Sequence, residues 1–125
     1  MTGIPTLDEA VDATSVEAAA DVSRRFFAAH PEAYERFGEA GRAYTDHDNA
    51  YLVQWVRDAV ALGSGRAFER NVTWLWDLLA ARDFPRDWFV ADQELAAAVC
   101  VERGLISAAD VDAIVSPVVA TLGDR

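Results

Sequence analysis

The sequence predicts an all-α fold: a compact bundle, or a globin-like orthogonal packing, of about five to seven helices. Apolar residues recur at three- and four-residue spacing through most of the chain, which is the period of an amphipathic helix. No window alternates apolar and polar residues between hairpin turns, as paired strands would. Proline and glycine mark short connections between the helical segments, and short connections are typical of helical bundles.

Size and composition predict a single all-helical domain over residues 1–125. A chain of 125 residues lies in the usual range of one domain, and 52% of its residues are hydrophobic. That apolar content is enough to bury a sizeable core, and it excludes a disordered chain.

The charge of the chain limits its partners. The formal net charge is −10, and all 11 basic residues are arginine. Such a chain repels phosphate backbones and anionic headgroups, and no stripe of arginines offsets the repulsion. We therefore expect neither nucleic-acid binding nor membrane association. The lysine-free composition, rich in Ala, Arg and Asp, favours a bacterial source with a GC-rich genome.

Three features predict a soluble protein of the cytoplasm. Cys100 is the single cysteine, which fits a reducing compartment. The first ten residues, MTGIPTLDEA, lack the basic and apolar regions of a signal peptide. No apolar run approaches the length of a membrane span.

The first third of the chain predicts three helices. TLDEAVDA forms a short helix with Thr6 as its N-cap. Thr14 and Glu17 have capping-box spacing, so a second helix begins near Ser15 and ends at His30, before Pro31. Its apolar stripe comprises Val16, Ala19, Ala20, Ser23, Phe26 and Phe27. The third helix is PEAYERFGEAG, in which Tyr34 and Phe37 face inward.

The middle of the chain predicts two longer helices separated by GSG at positions 63–65. Thr45 or Asp46 starts the first of them, which runs to about Leu62. Its stripe comprises Leu52, Trp55, Val56, Ala59 and Leu62. The second helix is RAFERNVTWLWDLLAARD, with a core face of Phe68, Val72, Leu75 and Leu79. Trp74 and Leu78 widen that face, whereas Trp76 lies towards the other edge.

The last third predicts two further helices. Pro85 lies at or near the first position of one, which carries Trp88 and Phe89 and ends before Gly104, a natural residue after a helix C-terminus. Ser107 and Asp110 form a capping box that opens the final helix. Its apolar residues are Val111, Ile114, Val115, Val118 and Leu122, and Pro117 should kink or split it.

The segment TDHDN at 45–49 resembles a set of metal ligands, but helical geometry separates its side chains. Adjacent residues on a helix point about 100° apart, so Asp46, His47 and Asp48 cannot converge on one ion. His47 also lacks an acidic or histidine partner three or four residues away. The sequence instead predicts a helix start here, in which Thr45, Asp46 or Asp48 caps the first amides.

The remaining candidates for catalysis or metal binding also have simpler explanations. His30 and His47 could hold a metal or a haem across two helices, but His30 is placed to cap the helix that begins at Pro31. Cys100 lies in the apolar stripe LAAAVCV, where a cysteine is usually a small buried residue. Phosphate loops, nucleophile elbows and Glu-x-x-His motifs are missing from the sequence. We therefore predict no catalytic residue and favour a protein that is not an enzyme.

Aromatic residues are the most suggestive functional feature. They are spread over three successive helices, and they either fill an ordinary core or converge on a pocket for a flat apolar ligand. The residues we expect to contact such a ligand are Tyr44, Tyr51, Trp55, Trp74 and Trp88. Tyr44 and Tyr51 are seven residues apart and so lie on the same side of a helix.

One segment resembles helical modules that accompany cobalamin-binding proteins in bacterial regulators. The segment is DNAYLVQWVRDAVALGSGRAFERNVTWLWDLLAARDFPRDWF, about a third of the chain. The matching residues are Asp48, Tyr51, Leu52, Gly63, Phe68, Trp74, Leu78, Leu79, Arg82 and Pro85. The resemblance implies an all-helical regulatory or sensory domain and brings no catalytic residue with it. The chain lacks the β/α alternation and the Asp-x-His-x-x-Gly motif of a complete cobalamin-binding domain.

A second segment, RRFFAAHPEAYERFGEAG, is more weakly similar to the early helices of globin-like sensors. This resemblance implies a tetrapyrrole-type ligand. Globins carry a proximal histidine before the penultimate long helix, and this chain has ARDFPRD in that place.

Three functional hypotheses follow. The first is a non-enzymatic cytoplasmic regulatory or sensory module that binds a partner protein, or an apolar and tetrapyrrole-like ligand, in a Trp- and Tyr-lined interior. The second is a structural or interaction protein, either a homodimer or an adaptor, whose acidic surface favours arginine-rich partners. The third is a metal- or haem-dependent protein that uses His47, His30 or both.

Overall fold

The computed structural model describes residues 11–123, which are helical nearly throughout and contain no β-strand. The elements are α1 (Ala13–Ala29), α2 (Pro31–Leu62), α3 (Arg66–Ala80), α4 (Arg86–Glu102), α5 (Ala108–Asp110), a π-helical turn (Val111–Val115) and α6 (Ser116–Gly123). The last three segments follow one another without a break and form one helical rod. The predicted all-α bundle is therefore confirmed, with five helical rods, at the low end of the expected range.

The start of α1 differs from the prediction. The helix capped by Thr6 falls largely on residues 1–10, which lie outside the described residues, and Val11 and Asp12 are not helical. Asp12, rather than Thr14, caps α1: its carboxylate accepts a hydrogen bond from the Ser15 amide at 2.9 Å. Arg57 on α2 also donates to this carboxylate at 2.7 Å. The long-range ion pair adds to the capping bond and so selects Asp12.

The prediction of a helix boundary at Thr45 or Asp46 is wrong. Residues 31–62 form one helix with a kink at Gly38, where φ is 68° and ψ is −163°. Glycine reaches this conformation without a steric penalty. The Thr45 hydroxyl donates to the Gly41 carbonyl at 2.8 Å, a bond that occurs inside a helix and not at its start. TDHDN therefore lies in the middle of α2.

Packing corrects which apolar residues face the core. On α3, Trp76 is buried against Phe89, with ring centroids 5.3 Å apart, whereas Trp74 is 61% exposed. Trp76 is four residues after the buried Val72, so it lies on the same face, and Trp74 is turned away. Four further residues predicted to face inward are exposed, namely Val16 and Ala20 on α1, Leu62 on α2 and Leu78 on α3.

The second half of the chain follows its local signals closely. Gly104 has φ of 70° after α4, and Ser107 and Asp110 form the predicted capping box. Pro117 lacks an amide hydrogen and its ring crowds the carbonyl four residues earlier. The rod widens into a π-helical turn immediately before this proline, and the Ser116 amide donates to the Val111 carbonyl. Within the described residues, no helix has both the length and the apolarity needed to cross a membrane.

Candidate ligand-binding site

A cavity of about 310 Å³ lies between α2 and α3. Three side chains from α2, namely His47, Tyr51 and Trp55, reach it because they are spaced four residues apart on one face of the helix. Its full lining is His47, Asp48, Tyr51, Trp55, Trp74, Leu75 and Leu78. Aromatic and aliphatic groups therefore form most of the wall, and Asp48 contributes a carboxylate.

The rings on the α2 side form a continuous row. The centroids of His47 and Tyr51 are 5.2 Å apart, and those of Tyr51 and Trp55 are 6.1 Å apart, with tilted planes in both pairs. Trp74 closes the cavity from α3. An exposed tryptophan that lines a cavity can become buried when a ligand enters, at little cost in side-chain entropy.

A second cavity, of about 360 Å³, adjoins the first and shares four of its lining residues. The shared residues are His47, Asp48, Trp74 and Leu78. Its other lining residues are Phe37, Gly41, Tyr44, Thr45, Leu79, Arg82 and Phe84. The two cavities together form one aromatic groove, to which we refer below as the α2–α3 groove.

A buried polar network lies behind the groove and joins three helices. Asn49 on α2 donates through Nδ2 to Ser23 Oγ on α1 at 2.9 Å and to Asp92 Oδ1 on α4 at 3.2 Å. A small void of about 40 Å³ is lined by Asn49, Asp92 and Asp48 among others. Asp48 also lines both groove cavities, so it connects the network to the groove.

The two carboxylates of this region lie in an unfavourable environment for negative charge. Burial, and to a smaller extent the charge of Asp48, raise the pKa of Asp92 to about 7, against the opposing effect of the hydrogen bond from Asn49. Burial also raises the pKa of Asp48, while the contact with His47 Nδ1 at 3.1 Å and the more distant charge of Arg82 oppose this shift. Two half-buried acidic groups thus lie close to the groove, and this favours a positively charged neighbour.

The structure brings four of the five predicted ligand-contacting residues to the groove. Tyr51, Trp55 and Trp74 line the first cavity, and Tyr44 lines the second. Trp88 lies elsewhere: its ring packs against other aromatic side chains, those of Phe26, Phe37, Phe84 and His30. The role of the four groove residues in ligand contact stays a prediction.

The two histidines lie in different environments. His30 stacks on Phe26 with centroids 4.8 Å apart, and its Nδ1 lies 3.2 Å from the Phe26 carbonyl oxygen. The side chain of His30 makes no capping hydrogen bond to the first amides of α2, contrary to the prediction. His47 borders the groove. In residues 11–123, no three His, Cys, Asp or Glu side chains are arranged to hold a metal ion. Cys100 is fully buried, and this raises the pKa of its thiol to about 11.

Sequence reasoning missed Asn49 and Asp92, although both lie on inward stripes. Asn49 shares the core face of α2 with Leu52 and Val53, at a spacing of three and four residues. Asp92 lies three residues after the buried Phe89 on α4. A polar residue inside an otherwise apolar stripe was the available signal, because buried polar groups need a partner. The partners themselves come from helices far apart in the sequence.

Comparison of the chain with protein-family models, with curated proteins and with solved structures finds no match.

Proposed function

We propose that this chain is a non-enzymatic regulatory or sensory module of the cytoplasm that binds a flat, largely apolar ligand in the α2–α3 groove. One observation carries the proposal: aromatic rings on α2 face an exposed Trp74 on α3 across a cavity. Small-molecule sites are concave, mostly apolar and equipped with a few polar groups, and they typically enclose about 300–1,000 Å³. The groove has each of these properties.

The arrangement also accounts for a regulatory role. A ligand that entered the groove would contact α2 through Tyr51 and Trp55 and α3 through Trp74. It would therefore bury Trp74 and change the apolar surface that α3 presents to a partner protein. A state that a ligand stabilises and a partner recognises is the basis of a sensory module.

The test is a titration with Nile red, a flat and uncharged apolar dye, followed by dye emission and by tryptophan fluorescence. We expect saturable binding to the intact chain and about tenfold weaker binding to Trp74→Ala, because one wall of the cavity is lost. Leu62→Ala is the matched control, since Leu62 is an exposed apolar residue of α2 outside the groove. Equal affinity of the two variants, or no saturable binding, would contradict the proposal.

Self-association through the same face is the second candidate function. Tyr44, Trp74 and Leu78 are exposed apolar residues along the groove, and exposed apolar patches often mark protein contacts. Light scattering of the intact chain and of Trp74→Ala distinguishes this function from ligand binding. A dimer that dissociates on substitution supports self-association, and a monomer at every concentration refutes it.

A further inference from the structure

We infer that the α2–α3 groove binds the quaternary ammonium group of a small organic cation, held against the rings of Trp55 and Trp74 and close to the carboxylate of Asp48. This inference rests on the proposed function and specifies the class of ligand. Two properties of the groove carry it: its aromatic walls and its acidic groups.

The walls match the chemistry of a quaternary ammonium group. The face of an aromatic ring carries negative potential and attracts cations, and cages of several rings are a recurrent solution for ligands without N–H donors. Tyr51 and Trp55 supply rings from α2, and Trp74 supplies one from α3. Arg36 lies over the ring of Phe37 and Arg42 over the ring of Phe27, so neither of these two cations occupies the ring face of Trp55 or Trp74.

The charged groups around the groove also favour a cationic ligand. Asp48 lines the first cavity, and Asp92 lies behind it in the adjoining void. Besides the hydroxyls of Tyr44 and Tyr51, four charged or titratable groups face this region: His47 and Asp48 from α2, Arg82 from the turn after α3 and Asp92 from α4. Arg82 lines the second cavity and not the first, to which Tyr51 and Trp55 contribute. A bound cation would stabilise both carboxylates in their charged form.

Other ligand classes fit less well. An anion would meet the enclosed carboxylates and a chain of net charge −10. A primary ammonium is strongly hydrated and needs several hydrogen-bond acceptors, and Asp48 is the one carboxylate in the lining of the first cavity. A quaternary ammonium has no hydrogen to donate, so an aromatic lining desolvates it at lower cost.

The first experiment compares choline with its uncharged isostere, 3,3-dimethyl-1-butanol, by isothermal titration calorimetry and tryptophan fluorescence. We expect choline to bind about tenfold more tightly, since the two molecules differ in charge and little in shape. Equal affinities would overturn the inference. A peptide bearing trimethyl-lysine that bound more than about tenfold tighter than choline would overturn the assignment to a small cation.

Charge variants localise the effect. Asp48→Asn should lose most of the preference for choline over the isostere. Asp46→Asn, two residues away on the exposed side of α2 and outside the groove, should keep it, although both variants change the net charge equally. If the two variants lose the same affinity, the attraction is a general property of the acidic chain and the inference fails.

The pH dependence provides an independent measurement. Choline affinity should rise between about pH 6 and about pH 8, as the carboxyl group of Asp92, whose pKa is raised to about 7, loses its proton. Asp92→Asn should flatten this rise without abolishing choline binding, and an unchanged slope would count against the inference.

Nile red distinguishes this inference from the proposed function on which it rests. If the dye binds but choline binds no more tightly than its uncharged isostere, only the inference about the cation is refuted. If neither Nile red nor choline binds, both proposals are refuted.

Discussion

Two grooves of this molecule differ in the chemistry of the side chains that line them. The α2–α3 groove is aromatic and borders a hydrogen-bonded polar network. The second groove, of about 730 Å³, lies between α4 and the C-terminal rod and is lined mainly by valine and alanine. We call it the aliphatic groove; its lining includes Val90, Gln93, Ala97, Val101, Val111, Val115 and Val119. The larger space lacks aromatic rings, so volume alone does not identify a recognition site.

The buried amides of the two regions show the contrast most clearly. Asn49 and Gln93 are each 1% exposed. Asn49 donates two hydrogen bonds and ties α2 to α1 and α4. The side-chain nitrogen and oxygen of Gln93 have no hydrogen-bond partner within the described residues. A satisfied buried amide stabilises a unique packing, whereas an unsatisfied one costs stability.

The largest expected effect is the pH dependence that Asp92 confers. Its pKa is about 7 in the folded chain, against about 3.9 in an unfolded one, so the folded state binds the proton more tightly. The stabilisation that comes from protonated Asp92 is fully present below the pKa of this group in the unfolded chain. It is lost as the pH rises through the pKa of the group in the folded chain. The free energy of unfolding should therefore fall between about pH 4 and about pH 7, by up to about 1.4 kcal/mol per pH unit. Urea unfolding at a series of pH values measures it.

Asp92→Asn should remove most of this slope, because asparagine does not ionise and can still accept from Asn49. Gln93→Leu, one residue along α4, is the matched control and should leave the slope unchanged. An unaltered slope in Asp92→Asn would show that other carboxyl groups, such as Asp48, dominate the titration.

The next effect in size is expected for Asn49→Leu. Leucine is similar in volume but leaves the hydroxyl of Ser23 and the carboxyl of Asp92 without their shared donor. The free energy of unfolding should fall by about 2–3 kcal/mol, which is the usual cost of orphaned buried polar groups. Denaturant unfolding near pH 5, where Asp92 is mainly protonated, measures the loss; a stability equal to that of the native chain would refute the assigned role of the network.

The smallest effect is expected for Gln93→Leu, and this substitution should stabilise the folded chain, whereas Asn49→Leu should destabilise it. Replacing an amide without partners by an apolar group of similar size should raise the free energy of unfolding by about 1 kcal/mol. Thermal and denaturant unfolding check this gain, with Glu94→Gln, an exposed neighbour, as the control. A loss of stability would show that Gln93 does make hydrogen bonds in solution, and it would remove the contrast with Asn49.

Local signals predicted the ends of several helices correctly. His30 before Pro31, GSG at 63–65, Gly104 and the Ser107–Asp110 pair all mark real helix ends. These signals work because capping and glycine conformations depend on a few neighbouring residues. The polar segment TDHDN misled the prediction since a helix start and a polar turn in the middle of a helix have similar compositions, and the actual interruption is at Gly38.

Periodicity located the candidate site only in part. Tyr51 and Trp55 are one turn apart, so their common face follows from the sequence. Trp74 and Trp76 were assigned to the wrong faces, although Trp76 lies four residues after Val72 and therefore shares its buried face, where it packs against Phe89. The wrong choice placed Trp74 inside, although its exposure is what lets it line the groove.

The all-helical class, the helix ends and the acidic character of the chain follow from residues close together in sequence. The network of Ser23, Asn49 and Asp92 does not, since Asn49 and Asp92 are separated by 43 positions and meet only through the packing of α2 against α4. The raised pKa of Asp92 is likewise a property of that enclosure rather than of aspartate. Helix formation is a local equilibrium, whereas burial and charge environment depend on which distant faces are brought together.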